Sequence, residues 1–244
     1  MLVGLRLNLS MAQRKSIWNG EQFARSGGFT FSDLLVVVGV VMVLAALVVP
    51  VLEKHSEKAK QAQCTGNLKE ITRAVLVYAE DSKGTLPYME PSPPTGVWWW
   101  YKELVKDRVG LIGPSSRHDK IFAFPKDRGY EEPRPFHLSS KFDYGSYVFN
   151  GVNFPGAPNL AGKTVGSVKE PARTLLMMEW TAHAPLSWHK SRTGKKNHPF
   201  YNDAESEVGF VDGRVDFIKI YYDGINPAFT RDPVPGYAYK YSGD

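Results

Sequence analysis

Hydrophobic and polar positions divide this chain into three regimes. Leu34 to Leu52 is a run of nineteen residues without a charge, built mostly from Val, Leu and Ala. From Glu53 to about Asp81 the pattern turns periodic. Ala59 and Ala62, then Leu68, Ile71, Val75 and Tyr78, recur at three- and four-residue spacing in an otherwise polar segment, which predicts a helix with one apolar stripe. After Pro87, Pro and Gly become frequent, aromatics cluster and the helical period is lost, which predicts short strands and long loops.

The first regime is membrane-length, since a bilayer core of about 30 Å takes about 20 apolar residues of helix. Two other readings stay open. One is a buried core helix, although such runs are normally shorter and broken by polar residues. The other is a secretory signal cut after Ala45 or Ala46; against it, more than thirty residues precede the run and the apolar stretch continues past the would-be site. The second regime predicts a stem whose stripe needs a surface to cover, with Gly84 ending it and Pro87 barring continuation.

In the third regime "YGSYVFNG" (144–151) and "RTLLMMEW" (173–180) read as strands, and "EVGFVDGRVDFIKIYY" (207–222) as two strands joined at Asp212-Gly213. A long helix followed by an antiparallel sheet is an α+β layout in which the stem covers one sheet face. "VWWWYKELV" (97–105) is a short helix or strand. Three adjacent tryptophans cannot all face one core, so Trp98, Trp99, Trp100 and Tyr101 are candidates for a glycan or partner contact, with core packing as the alternative.

Charge adds an orientation. Arg6, Arg14, Lys15 and Arg25 face only Glu21 ahead of the run, so the positive-inside tendency keeps the N-terminus cytoplasmic and exports the chain beyond Leu52. The remainder is nearly neutral, and the net +5 gives little support for nucleic-acid binding. The single cysteine, Cys64, excludes an internal disulfide and reads as a small buried apolar residue.

Within "GGFTFSDLLVVVGVVMVLAALVVPVL" (27–52), a basic leader ends in Gly, an aromatic residue comes next, an acid stands four positions on, and an unbroken apolar helix begins. This resembles the class III signal of type IV prepilins and type II secretion pseudopilins. The resemblance implies cleavage by prepilin peptidase between Gly28 and Phe29, N-methylation of Phe29, pairing of the Asp33 carboxylate with the freed Phe29 amine of a neighbouring subunit, and a helix kink or melted turn at Pro50. That family mostly carries Glu where this chain has Asp33, one methylene shorter. A carboxylate in hydrocarbon is expensive and is kept where a partner compensates for it.

"CTGNLKEITRAVLVYAEDSKGTLP" (64–87) further resembles the stem of a pseudopilin-like group found in planctomycetes and verrucomicrobia. Members of that group commonly end with a histidine, a spacer and an apolar strand into Asp-Gly. Here His198 and Asp212-Gly213 stand in those places with a longer spacer, and Phe124 of "FAFPKD" stands where a cysteine is frequent. The division implied is a leader over 1–28, a transmembrane and polymerisation helix over 29–52, an amphipathic stem over 53–84 and an exported α+β body over 85–244. The partners implied are prepilin peptidase, other pilin-like subunits, an inner-membrane assembly platform, an assembly ATPase and the lipid bilayer. The body would be periplasmic, on a single-pass anchor in the cytoplasmic membrane.

Candidate chemistry is sparse. Asn202, Asp203, Glu205, Glu207 and Asp212 are dense enough for a calcium loop, as found in some major pseudopilins, although no EF-hand spacing occurs; a solvated acidic loop is the alternative. Histidines 118, 137, 183, 189 and 198 lack the paired spacing of a zinc helix. No nucleophile elbow, P-loop or dinucleotide fingerprint occurs, so no enzymatic activity is expected.

Overall fold

The computed structural model describes residues 28–89, 96–130, 134–152, 154, 156–184, 186–189, 204–221, 230 and 232–244. The chain divides into two compact units, Met1–Val51 and Leu52–Asp244. A single helix, α1 (Phe31–Asp81, 51 residues), supplies the described helical part of the first and opens the second.

In the first unit the apolar side chains of α1 point outward all round, and none of its eighteen-residue apolar window is buried. It is long and apolar enough to cross a membrane, where a helix satisfies every backbone donor and acceptor internally. Pro50 lies inside α1. Its ring nitrogen cannot donate to the Ala46 carbonyl, yet the helix continues on both sides of it.

In the second unit α1 buries Cys64, Leu68, Ile71, Thr72, Val75 and Ala79, one stripe at helical spacing. Ala59 and Ala62, expected on that stripe, are exposed. The body covers the helix only from Cys64 onward; before that, α1 meets it through charge, with Glu57 pairing to Lys126 as well as Lys60. The helix ends where Lys83 (φ 56°) and Gly84 (φ 83°) turn left-handed and the Gly84 N–H donates to the Ala79 carbonyl at 2.7 Å, a closure that satisfies a carbonyl of the last turn.

The sheet is a four-stranded antiparallel meander in sequence order: β1 (Tyr147–Phe149), β2 (Leu175–Glu179), β3 (Glu205–Phe210) and β4 (Val215–Lys219). β2 is buried throughout, whereas β4, at the edge, is exposed at Asp216 and Lys219 and half-buried at its other positions, as an edge strand partly in water is. β3 and β4 are joined as expected through Asp212-Gly213, with Gly213 at φ 88° and the Asp212 carboxylate accepting from the Arg214 N–H. "VWWWYKELV" forms two short helices, α2 (Gly96–Trp99) and α3 (Lys102–Val105). The α+β layout is therefore the observed one, with the second half of α1 packed on the sheet.

The closest approach of helix and sheet is at Gly209 of β3, where a Cβ would lie 2.2 Å from Thr72 Oγ1. That hydroxyl is itself held, donating to the Leu68 carbonyl at 2.7 Å. Gly209→Ala is expected to destabilise the body by about 1–3 kcal/mol through overpacking. Adding Thr72→Ala, which removes the clashing hydroxyl and methyl, should recover part of that loss in urea unfolding of the double variant.

Against the C-terminal segment, His183 is buried between Trp98 and Tyr241, with ring centroids 5.7 and 5.9 Å away. Burial pulls its pKa down from 6.5 to about 3. The unfolded chain therefore binds a proton between those values that the folded chain refuses, and stability falls as pH drops from about 6.5 towards 3, at up to about 1.4 kcal/mol per pH unit. His183→Gln is expected to reduce that slope by one proton's worth, measured as unfolding free energy against pH beside the parent.

Candidate functional site

At the head of α1, Thr30 and Asp33 close on each other. The Asp33 Oδ2 accepts from the Thr30 N–H at 2.9 Å and from the Thr30 hydroxyl at 2.8 Å, while the Asp33 N–H donates to Thr30 Oγ1 at 3.3 Å. This is a reciprocal N-terminal capping arrangement with the acid at the third helical position, and negative charge there also suits the helix dipole. The T-x-x-D spacing ahead of the apolar run was its sequence signal, and reading Asp33 only as a pairing group missed it. The arrangement uses Oδ2 alone, so among the described residues Oδ1 takes no hydrogen bond. Gly28 has nothing within 4 Å of a Cβ position, and Phe29 is exposed.

The aromatic run does not form an exposed platform. Trp99 is buried against Phe136 and Phe142, Trp100 against Phe149, and Tyr101 donates its hydroxyl to the Tyr147 carbonyl at 3.2 Å. Trp98 is half-buried beside Phe154 and His183. Short helical turns send the adjacent rings in different directions, so one core takes three of the four after all.

The acidic positions also separate. Asp203, Asn202 and His198 lie outside the described residues. Glu205 sits at the start of β3, opposite Lys219 of β4, whereas Asp212 caps the far hairpin turn. Glu207 is buried and turned toward the stem, where its Oε1 accepts from the Thr65 hydroxyl at 2.7 Å. Of the histidines, His118 is exposed and His137 contacts the buried Asp127 carboxylate at 3.1 Å.

What the fold does assemble is a buried polar cluster under α1. The Cys64 Sγ donates to Glu179 Oε1 at 3.2 Å, and His189 Nε2 lies 2.9 Å from the same oxygen. Thr181 donates to Glu179 Oε2 at 3.3 Å, and the Tyr147 hydroxyl lies 3.3 Å from Cys64 Sγ. Donor atoms of Cys64, Glu179 and Glu207 lie within 4.8 Å of one another. Burial pushes the Cys64 thiol well above its ordinary range, and the two carboxylates add to that; burial likewise raises Glu207. Phe124 stacks on Trp188 at 5.3 Å and lies 5.4 Å from His189, fixing the loop that carries the imidazole. Glu179 went unnoticed in the sequence, and His189 was weighed only among histidines without zinc-helix spacing, because a strand-end acid and a loop histidine have no spacing that joins them.

No family model, curated protein or solved structure matches the chain. Function therefore rests on the residues themselves.

The cap at Asp33 can be separated from its charge. Asp33→Ala is expected to speed exchange of the Thr30 amide about fivefold, the equivalent of about 1 kcal/mol of lost capping. Asp33→Asn, which keeps an acceptor, should leave it within about twofold, measured by hydrogen exchange on the full chain in detergent.

Proposed function

We propose that this chain is a structural, pilin-like subunit. Its apolar helix inserts in the membrane, prepilin peptidase cuts after Gly28, Phe29 is N-methylated, and segment 29–52 packs laterally with like helices in a type IV pilus-like or type II secretion pseudopilus filament. The observation that carries this reading is the apolar helical surface of the first unit, which no described residue covers, in a chain whose second unit closes its own hydrophobic core. A surface of that kind marks a lipid or protein contact, and packing against copies satisfies both in turn.

The chemistry of the helix head supports the same reading. Asp33 caps its own helix through Oδ2 and retains Oδ1 for an outside donor, and in this reading that donor is the free amine at Phe29 of a neighbouring subunit. Two charges neutralised together in a water-poor bundle fix register as well as contact. Orientation is set by the basic residues before the run: N-terminus cytoplasmic, body periplasmic. Assembly would draw on the membrane platform and ATPase of such systems, and calcium remains an expectation for the 202–212 segment. The alternative of a non-polymerising glycan-binding module loses its platform, because three of its four aromatic residues are buried in the core.

Co-expression with a prepilin peptidase, and then N-terminal sequencing of the membrane-extracted chain, tests the proposal. The expected result is N-methyl-phenylalanine at residue 29, with Gly28→Val holding the chain in its longer form. An intact Met1, or a new terminus at Ala46 or Leu47, would overturn it.

A further inference from the structure

We infer that Cys64, Glu179, His189 and Glu207 form a binding site for one divalent transition-metal ion, zinc(II) in first place, which ties the stem helix to the sheet. The four residues come from α1, the end of β2, the loop after it, and β3, so an ion held by all of them would join elements far apart in the chain. This site is independent of whether the chain polymerises.

Three observations carry the inference. First, donors converge: atoms of Cys64, Glu179 and Glu207 all lie within 4.8 Å of one another, with Cys64 Sγ 3.2 Å from Glu179 Oε1, and His189 Nε2, outside that trio, approaches the same oxygen at 2.9 Å. Ligand atoms bonded to one tetrahedral zinc lie about 3.3–3.8 Å apart, given bonds of about 2.0–2.3 Å, so the trio needs small side-chain shifts and the imidazole a larger one to complete it. Second, Glu207 is 2% exposed and turned toward Cys64, and among the described residues its Oε2 has no hydrogen-bond partner. A buried oxygen left unpaired is costly and calls for an explanation; a metal bond supplies one. Third, His189 stands between the cluster and water: it lines a surface cleft of about 430 Å³, whose other walls include Lys60, Lys126 and Asp127.

The donor set selects the ion. A hard cation such as calcium takes six to eight oxygens, which a thiol and an imidazole do not provide, whereas mixed sulfur, nitrogen and carboxylate ligation suits zinc and its neighbours. On binding, the Cys64 S–H bond breaks as the sulfur–metal bond forms. The thiol proton, with any proton on Glu207, passes to water, His189 binds through Nε2 as the neutral Nδ1–H tautomer, and no electron is transferred. A thiolate and two carboxylates around a doubly charged ion leave one net negative charge, near the Lys60 and Lys126 ammonium groups of the cleft.

The test is cobalt(II) titration of the full chain, stripped of metal in detergent, with zinc competition and thermal unfolding after it. The expected result is one equivalent of cobalt with a sulfur-to-cobalt absorption band, loss of the band on adding zinc, and a rise in Tm with zinc. Cys64→Ser should abolish the band. His189→Ala and Glu207→Gln should each weaken binding by more than about 100-fold, beyond the ~10–100-fold typical of groups outside the coordination sphere, whereas the exposed His118→Ala should change nothing. Glu207→Gln keeps an acceptor for Thr65, so its metal-free form stays folded and its loss of binding cannot be put down to unfolding. No band, a band that survives Cys64→Ser, or a Tm indifferent to zinc would overturn the assignment and leave a proton-sharing buried cluster.

Discussion

The body of this protein depends on the seating of one helix on one sheet. From Cys64 to Ala79 a single stripe of α1 is buried, and at Gly209 the backbone of β3 comes so near that only a hydrogen fits opposite Thr72. Interiors packed to crystal-like density leave no slack at such a place. The contact fixes how far along the stem the sheet sits, and so decides which stem side chains reach β2 and β3. Cys64 and Thr65 reach Glu179 and Glu207 because the helix is seated there.

The same chain carries two opposite solutions to apolar surface. After Val51 every large run is folded inward, and rings as adjacent as Trp99, Trp100 and Tyr101 are shared among separate partners. Before it, no described residue covers the helix, whose apolar stretch is long enough to cross a membrane. The Thr30–Asp33 cap sits where the apolar run starts, holding the first turn without any help from neighbours.

Polar groups inside the body are mostly settled by short, complete sets of partners. Asp127 takes hydrogen bonds from Ser146, Gly129 and His137, and the buried Lys102 ammonium pairs with Asp119 and donates to the Asp143 carbonyl. Against that background the cluster under α1 stands out by its mixture of groups, with a thiol, an imidazole and two carboxylates packed together.

The sequence by itself determined the elements. Apolar length, helical period and strand alternation are local properties of consecutive residues, so the helix to Asp81, its end near Gly84, the strands and the Asp212-Gly213 turn were all legible. It misjudged where the stripe begins, because Ala59 and Ala62 keep the period while nothing reaches back to cover them. It left Trp98 to Tyr101 open between an outward contact and core packing, since the direction of each ring depends on partners far along the chain, such as Trp180 for Trp98 and Phe142 for Trp99. Only the tertiary structure could bring Cys64, Glu179, His189 and Glu207 together. Their spacing along the chain carries no period, and what makes them neighbours is the register of β2 and β3 and the depth at which one helix is seated on them.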